Sequence, residues 1–208
     1  TMLAFMGAML GVAFASDLLA LFLFWELTSI TSFLLIGHYR DESGQYAARK
    51  SMLITVAGGL FMLVGFLVLR SVSADALGEA TFRLAGDGSM IAAADVMRDE
   101  LASQGLLLPV VLLIGVGAAA KSAQGPLHLW LPNAMEAPTP VSAFLHSATM
   151  VKAGVYLVGR FRPLLFGDEW LYLFVLLGLV TMTAMAIMAV GATDLKELLA
   201  YSTASHLG

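Results

Sequence analysis

Long apolar runs separated by short polar segments dominate the pattern along the chain. A helix needs about 20 mostly apolar residues to cross the hydrocarbon core of a bilayer, so the runs predict about six crossings. They lie near residues 1–16, 18–37, 47–70, 106–131, 138–159 and 170–192. A further helix is predicted to begin near Asp194, with Thr193 as its cap. The pattern therefore predicts an all-α polytopic membrane protein.

The longest polar connection is the segment 71–105. Apolar residues recur there at helical spacing, at Met90, Ala94, Met97 and Leu101, and Gly105 follows them. This spacing predicts a short interfacial helix over 89–101, because one face of such a helix is apolar and the other is polar.

Positive charges near the ends of spans predict the orientation, because Lys and Arg favour the cytoplasmic side. The loop 38–50 contains Arg40, Arg49 and Lys50, whereas the short turn at Asp17 contains no Lys or Arg. We therefore expect the loop 38–50 to be cytoplasmic and the segment 71–105 to be external. This assignment places Arg160 and Arg162 on the external side, which conflicts with the preference of basic residues for the cytoplasm.

Composition agrees with a membrane location. Hydrophobic residues make up 59% of the chain, charged residues 12%, and the mean hydropathy is +0.86, which is too apolar for a water-soluble globule. The formal net charge of -4 indicates no nucleic-acid partner. With 0 cysteines the chain has no disulfide, thiol nucleophile or thiolate metal ligand. Both ends lie inside apolar or helical patterns, so we interpret the chain as a fragment.

Two charged residues lie deep within predicted spans. Glu26 is about midway along the run LLALFLFWELTSITSFLLIG, and Lys121 follows LLLPVVLLIGVGAAA. An unpaired charge at this depth costs about 2.5–3.5 kcal/mol on insertion scales, and such residues commonly pair and mark ion pathways. We therefore expect Glu26 and Lys121 to be partners in ion transfer.

Prolines follow Lys121 closely. Of the 6 prolines in the chain, four fall just after it, at positions 126, 132, 138 and 140. Each removes a backbone donor and clashes with the preceding turn of a helix. An interrupted helix at membrane depth is tolerated only where it lines a polar cavity or is buried in protein. The sequence therefore predicts a broken transmembrane helix with a water-accessible path beside Lys121. Small residues such as Gly58 and Gly59 predict close helix packing.

Three further ionisable residues are candidates for proton transfer. His146, in the run 138–159, titrates near neutrality, which suits a proton relay, although a histidine there can also be a packing residue. Lys152 lies deep in the same run. It is either a second proton carrier or a structural counter-ion. Lys196, near the start of the last helix, is either a loop charge or a further carrier.

The segments that carry these residues resemble a known family. FWELTSITSFLLIGHY, KSAQGPLHLWLPNAMEAPTPVSAFLHSATMVKAGVYL and TDLKELLAYSTASHLG look like the antiporter-like subunits shared by Mrp-type sodium/proton antiporters and respiratory complex I. The resemblance covers nearly the whole chain, and the segment 71–105 is its weak part. WELTSITSFLLIG, LITVAGGLFMLVGF and the lysine in ATMVKAG look most like the large A subunit of Mrp antiporters.

The resemblance implies roles for particular residues. Glu26 and Lys121 would match the family's glutamate–lysine pair, His146 its histidine in the proton path, and Lys196 the lysine of the later helix. Lys152 would be an addition typical of Mrp antiporters. Together they would move protons through a buried relay. The family implies no cofactor and no resident metal.

The resemblance also implies an architecture and a setting. Residues 1–159 would form the first half of an inverted repeat, a proton half-channel, and residues 160–208 would begin the second half. The protein would be a secondary transporter subunit in the cell (inner) membrane, not an enzyme. Its partners would be other membrane subunits, protons, sodium ions and the lipid bilayer.

Other functions remain open at the level of the sequence. The same fold works in complex I and in membrane-bound hydrogenases, where redox energy drives the proton step. A passive scaffold, in which the charges only fix helix register, is a further alternative. A redox or quinone-binding subunit is disfavoured, because the chain has no cysteine and no histidine pair at a spacing suited to haem. A sodium site would need several converging oxygens, for which Thr28, Ser29, Thr31 and Ser32 are only suggestive.

Overall fold

The computed structural model describes residues 1–39 and 41–208, and at positions 147 and 148 it describes the backbone alone. Arg40, one of the residues used to predict the orientation, therefore lies outside the described residues. Within them the chain forms helices and connections with no named strand. The prediction of an all-α membrane fold is confirmed.

The chain up to Lys121 forms the first group of helices. These are α1 (Met2–Phe14), α2 (Leu18–Ile36), α3 (Glu42–Leu77), α4 (Ala94–Ser103) and α5 (Leu107–Lys121). Asp17 caps α2, because its carboxylate oxygen Oδ1 accepts the amides of Leu19 at 2.8 Å and Ala20 at 3.2 Å. The start of α2 is thus set by a polar residue in the turn, immediately before the apolar run begins.

The chain breaks after Lys121, as the prolines predicted. Short helical turns replace a continuous helix: Leu127–Leu129, α6 (Trp130–Asn133), Ala134–Glu136 and α7 (Thr139–Ser142), followed by a π-helical stretch at Ala143–Thr149. Regular helix then resumes in α8 (Met150–Leu165), α9 (Asp168–Gly191) and α10 (Leu195–Leu207).

The cap of α10 differs from the prediction. Asp194, not Thr193, is the N-cap residue. Its carboxylate oxygen Oδ1 accepts the amides of Lys196 at 2.7 Å and Glu197 at 3.3 Å. A carboxylate is favoured at this end of a helix, because the free amides there carry a partial positive charge.

Four stretches are long and apolar enough to cross a membrane: Leu18–Ile36, Glu42–Leu77, Thr139–Leu165 and Asp168–Gly191. The axes of α4 and α5 meet at 112°, so this pair would count as a fifth, bent span. α1 is about 20 Å long, at 1.5 Å per residue, against a bilayer core of about 30 Å. The described residues therefore support four or five crossings, fewer than the number predicted. The difference arises because α5 stops at Lys121 and α1 is short.

The helices around the break pack closely through small residues. A methyl group at Gly58 on α3 would overlap the Cβ of Ala120 on α5. A methyl group at Gly154 on α8 would overlap the carbonyl oxygen of Ala118 and the hydroxyl oxygen of Ser122. The predicted close packing is confirmed here. It holds the C-terminal end of α5 between α3 and α8.

The segment between α3 and α5 contains a short helix, α4, that packs on the neighbouring helices. α4 begins at Ala94, not near Ser89 as predicted. Met90, Met97 and Leu101 are fully buried, so the predicted apolar face is present. It packs into the same core as residues of α3, α5 and α8.

The conflict over Arg160 has a structural explanation. Its guanidinium donates to the carbonyl oxygens of Val12, at 3.3 Å, and Ala15, and to the hydroxyl oxygen of Tyr156, at 2.9 Å. These carbonyls lie at the C-terminal end of α1, where helix carbonyls have no partner within the helix. A cation at this position satisfies the end of a helix, which is a role separate from setting the orientation of the chain.

Candidate functional site

Lys121 is the last residue of α5, and its side chain is fully buried. The ammonium nitrogen Nζ donates to the hydroxyl oxygen of Ser29 at 2.7 Å and to the carbonyl oxygen of Trp25 at 3.1 Å. It also lies 5.3 Å from the centre of the Trp25 ring. Both partners belong to α2. The site is therefore built where α2 meets the end of α5, and polar contacts and a π-face compensate in part for removing the lysine from water.

Glu26 lies on α2 between these two partners of Lys121. Its side chain is half-buried, and its carboxylate oxygen Oε1 is buried with no hydrogen-bond partner among the described residues. This oxygen lies against Gly59 of α3. A buried carboxylate oxygen without a donor is costly, so such a group is common at sites that move or hold charge.

The structure brings Glu26 and Lys121 to one site but not into a direct ion pair. Within the described residues, the only ion pair with a nitrogen–oxygen distance up to 4.0 Å is Arg98–Asp95. Glu26 and Ser29 are one turn apart on the same face of α2, and the Ser29 hydroxyl contacts the ammonium. Ser29 thus contacts Lys121 from the helix face that also carries Glu26, and its own hydroxyl donates to the Trp25 carbonyl oxygen at 3.4 Å.

His146 lies in the π-helical stretch and is almost fully buried. Its ring centre is 6.0 Å from that of Trp130, whose ring nitrogen Nε1 donates to the carbonyl oxygen of Ala120 at 2.9 Å. Trp130 thus contacts both His146 and the residue before Lys121. Neither ring nitrogen of His146 has a hydrogen-bond partner among the described residues; the Ala134 carbonyl is near the ring without hydrogen-bond geometry.

Lys196 lies on α10, beside the broken segment. Its ammonium donates to the carbonyl oxygens of Met135 at 3.1 Å and Ala137 at 3.2 Å. A cavity of about 210 Å³ is lined by both Lys196 and His146. A second cavity, of about 500 Å³, reaches Lys196 and is lined by polar residues including Glu136, Asp194 and Glu197. These volumes are large enough for several water molecules.

Lys152 lies away from this site. It is exposed on α8, and it makes no hydrogen bond or ion pair with the described residues. Of the five candidates, Glu26 and Lys121 are brought together, His146 is connected to them through Trp130, and Lys196 shares a cavity with His146. Lys152 is on a separate surface.

Sequence reasoning missed the direct partner of Lys121. The sequence suggested Ser29 only as one of four hydroxyl residues that could line a sodium site. Its spacing of three residues from Glu26 indicates that both side chains lie on the same face of the helix. All four hydroxyls donate to carbonyls of their own helix: Thr28 to Trp25 at 2.6 Å, Ser29 to Trp25 at 3.4 Å, Thr31 to Leu27 at 2.7 Å and Ser32 to Ser29 at 2.8 Å. Such bonds are the usual state of small polar residues in membrane helices.

The fold and the site together define a polytopic membrane protein with ionisable groups held at a helix break. Residues 15–208 match the family described as NADH:quinone oxidoreductase/Mrp antiporter, transmembrane. The chain therefore belongs to this family, and the resemblance seen in its motifs is confirmed.

Individual relatives agree with this assignment. The chain is similar to the A subunit of the Na(+)/H(+) antiporter of Bacillus subtilis, with 48% identity over 209 residues, and to the corresponding A subunit of Alkalihalophilus pseudofirmus, with 49% identity. Each alignment covers 100% of this chain and 24% of the relative, so the chain spans about a quarter of their length.

Solved structures resemble it as well. A chain of the Mrp complex from Dietzia sp. DQ12-45-1b superposes with a TM-score of 0.82 and 38% identity, covering 99% of this chain and 21% of the other. A chain of the membrane-bound sulfane sulfur reductase, an archaeal respiratory membrane complex, superposes with a TM-score of 0.81 over 99% of this chain and 40% of the other. At 24% identity, the second likeness shows the fold alone.

Proposed function

We propose that this chain is part of the proton-translocating subunit of a multi-subunit Na+/H+ antiporter of the Mrp type. The observation that carries the proposal is Lys121, a fully buried lysine at the end of a helix that breaks inside the membrane segment. Intramembrane ionisable residues of this kind mark ion pathways. The relatives, which are named as A subunits of Na(+)/H(+) antiporters, support the choice of transport over catalysis.

In the proposed mechanism Lys121 takes up and releases the proton. The nearby carboxylate of Glu26 favours the charged lysine, whereas burial opposes it. A small change in the distance between these groups therefore changes the proton affinity of Lys121, and a movement of the broken segment would supply such a change. The hydroxyl of Ser29, 2.7 Å from the ammonium, would transmit this effect between the two charges.

His146 and Lys196 would continue the path. Both residues line the cavity of about 210 Å³, which supports placing them along one path. The polar cavity of about 500 Å³ beside Lys196 would connect this route to one surface of the membrane. Lys152 would act on the exposed face of α8, as a second carrier or counter-ion towards the remainder of the complex, because an uncovered lysine is costly in lipid.

The proposal extends to the setting of the chain. Residues 1–159 would form one half-channel and residues 160–208 the beginning of an inverted second half. The protein would lie in the bacterial cell membrane with the loop 38–50 in the cytoplasm, and other membrane subunits would cover its exposed apolar faces. Exchange would require these parts together with sodium and protons.

The test is sodium-dependent dissipation of a pH gradient in inside-out vesicles that contain the full-length protein with its partners. Lys121→Ala is compared with the wild type at matched, verified assembly. We expect loss of exchange, because the proposed carrier is removed. Arg98→Ala, which removes a half-buried cation bonded to the exposed Asp95, is the control and should retain exchange. Full activity of Lys121→Ala would instead support a passive scaffold.

A further inference from the structure

The environment of Glu26 is set by a residue on another helix, Gly59 of α3. A methyl group at Gly59 would overlap the Glu26 carboxylate oxygen Oε1 and would lie 3.0 Å from the carboxylate carbon Cδ. The next atom it would meet, Cδ1 of Trp25, is 3.4 Å away, which is an ordinary contact. The space left by the missing side chain of Gly59 is therefore occupied by the carboxylate, and by little else.

This space matters because Gly59 packs directly against that oxygen. Oε1 of Glu26 is buried and accepts no hydrogen bond from the described residues. Its position is therefore defined by what it is packed against, and the surface offered by Gly59 is the bare Cα of a helix. Any larger residue there would push the carboxylate along α2, either towards Ser29 and Lys121 or away from them.

The preceding residue on α3 serves a different contact. A methyl group at Gly58 would overlap the Cβ of Ala120, the residue before Lys121. The two successive glycines thus face different partners: Gly58 lies against the end of α5, and Gly59 lies against Glu26. Gly58 is therefore needed for the packing of α3 on α5, whereas Gly59 leaves room for the Glu26 carboxylate.

We propose that Gly59 is a positioning residue that holds the Glu26 carboxylate where it acts on Lys121 through Ser29 instead of forming a direct ion pair. This inference deepens the proposed function and rests on it. A direct pair would hold the proton on the lysine, because a carboxylate in contact stabilises the ammonium strongly in a buried site. The indirect arrangement keeps the interaction weak enough for the proton to leave.

The test uses Gly59→Ala and Gly58→Ala in the full complex, each in the natural background and combined with Glu26→Asp. Aspartate is shorter by one methylene, so its carboxylate would clear the methyl group at position 59. We expect Gly59→Ala to lower sodium-dependent exchange about tenfold with Glu26 present and much less in the Glu26→Asp background, since contacting residues are coupled. Gly58→Ala should have the same effect in both backgrounds. Equal effects of Gly59→Ala in both would overturn the proposal.

A second measurement does not depend on transport. A hydrophobic carbodiimide adds to protonated buried carboxylic acids, and mass spectrometry of the digested protein gives its rate of addition at Glu26. We expect Gly59→Ala to change this rate severalfold at matched assembly, because the carboxylate is displaced. An unchanged rate would contradict the proposal even if Lys121→Ala abolishes exchange. A changed rate would support it even if Lys121→Ala retains exchange and the transport mechanism is wrong.

If Gly59→Ala prevents assembly, the variant that combines Gly59→Ala with Glu26→Asp distinguishes the two explanations. Recovery of assembly when Glu26→Asp is added would mean that the carboxylate is what the methyl group displaces. No recovery would mean that Gly59 serves helix packing, and the proposal would be wrong.

Discussion

The ammonium of Lys121 lies 2.7 Å from the hydroxyl oxygen of Ser29, although the two residues are 92 positions apart in the chain. Glu26 lies nearby on the same helix as Ser29, but its carboxylate and the Lys121 ammonium do not form an ion pair within 4.0 Å. A hydroxyl group can accept a hydrogen bond from the lysine and donate one of its own. Here the Ser29 hydroxyl accepts from Lys121 and donates to the Trp25 carbonyl oxygen at 3.4 Å, one turn from Glu26 on the same helix.

Removing the Ser29 hydroxyl should impair exchange. Ser29→Ala leaves the buried ammonium with one hydrogen-bond partner fewer, which costs about 1–3 kcal/mol for a buried polar group. We expect exchange in vesicles to fall about tenfold at matched assembly, which corresponds to about 1.4 kcal/mol. Ser29→Thr keeps the hydroxyl and should retain most of the activity. The control is Thr31→Ala, because the Thr31 hydroxyl bonds to Leu27 of its own helix. Equal activity of Ser29→Ala and the wild type would remove Ser29 from the path.

The break after Lys121 should depend on Thr181 of α9. Its hydroxyl oxygen accepts the backbone amide of Gly125 at 3.0 Å, so it satisfies a donor of the broken segment. Thr181→Val keeps the shape but leaves the amide without this acceptor, and we expect about 1–3 kcal/mol of lost stability. The measurement is the Tm of the purified complex. Thr183→Val is the matched control on the same helix, because the exposed Thr183 hydroxyl bonds only to Leu179. The interpretation fails if both variants lower the Tm equally.

The cap of α10 should control the position of Lys196. Asp194→Ala removes the acceptor for the amides of Lys196 and Glu197, and loss of such a cap costs about 0.5–2 kcal/mol. We expect faster hydrogen exchange of the amides at 196 and 197, measured by mass spectrometry of the full complex. Asp194→Ser keeps a capping oxygen and should leave the rates close to those of the wild type. Unchanged amide exchange in Asp194→Ala would show that the first turn is held by other contacts.

Lys152 illustrates what hydropathy can and cannot predict. Its depth in an apolar run made it a candidate after Lys121, as a second carrier or a structural counter-ion, since both lysines interrupt such runs. The structure separates them: Lys121 is fully buried, and Lys152 is exposed on α8. α5 is almost uniformly apolar before Lys121, so hydropathy carries little signal of the direction in which the helix turns that lysine. α8 differs, because Lys152, Tyr156 and Arg160 recur on it at helical spacing and mark a more polar face.

The sequence by itself determined the membrane class, the helical fold, the break after Lys121, the family and the ionisable candidates. These features are local: an apolar run of sufficient length, prolines within it and charges at that depth each have a direct energetic meaning in a bilayer. Only the tertiary structure decided which groups meet. The contact of Ser29 with Lys121, the position of Glu26 against Gly59 and the cavity shared by His146 and Lys196 each join distant parts of the chain. Such contacts depend on helix rotation and close packing, which are set by the shapes of facing side chains and not by the hydropathy of either helix.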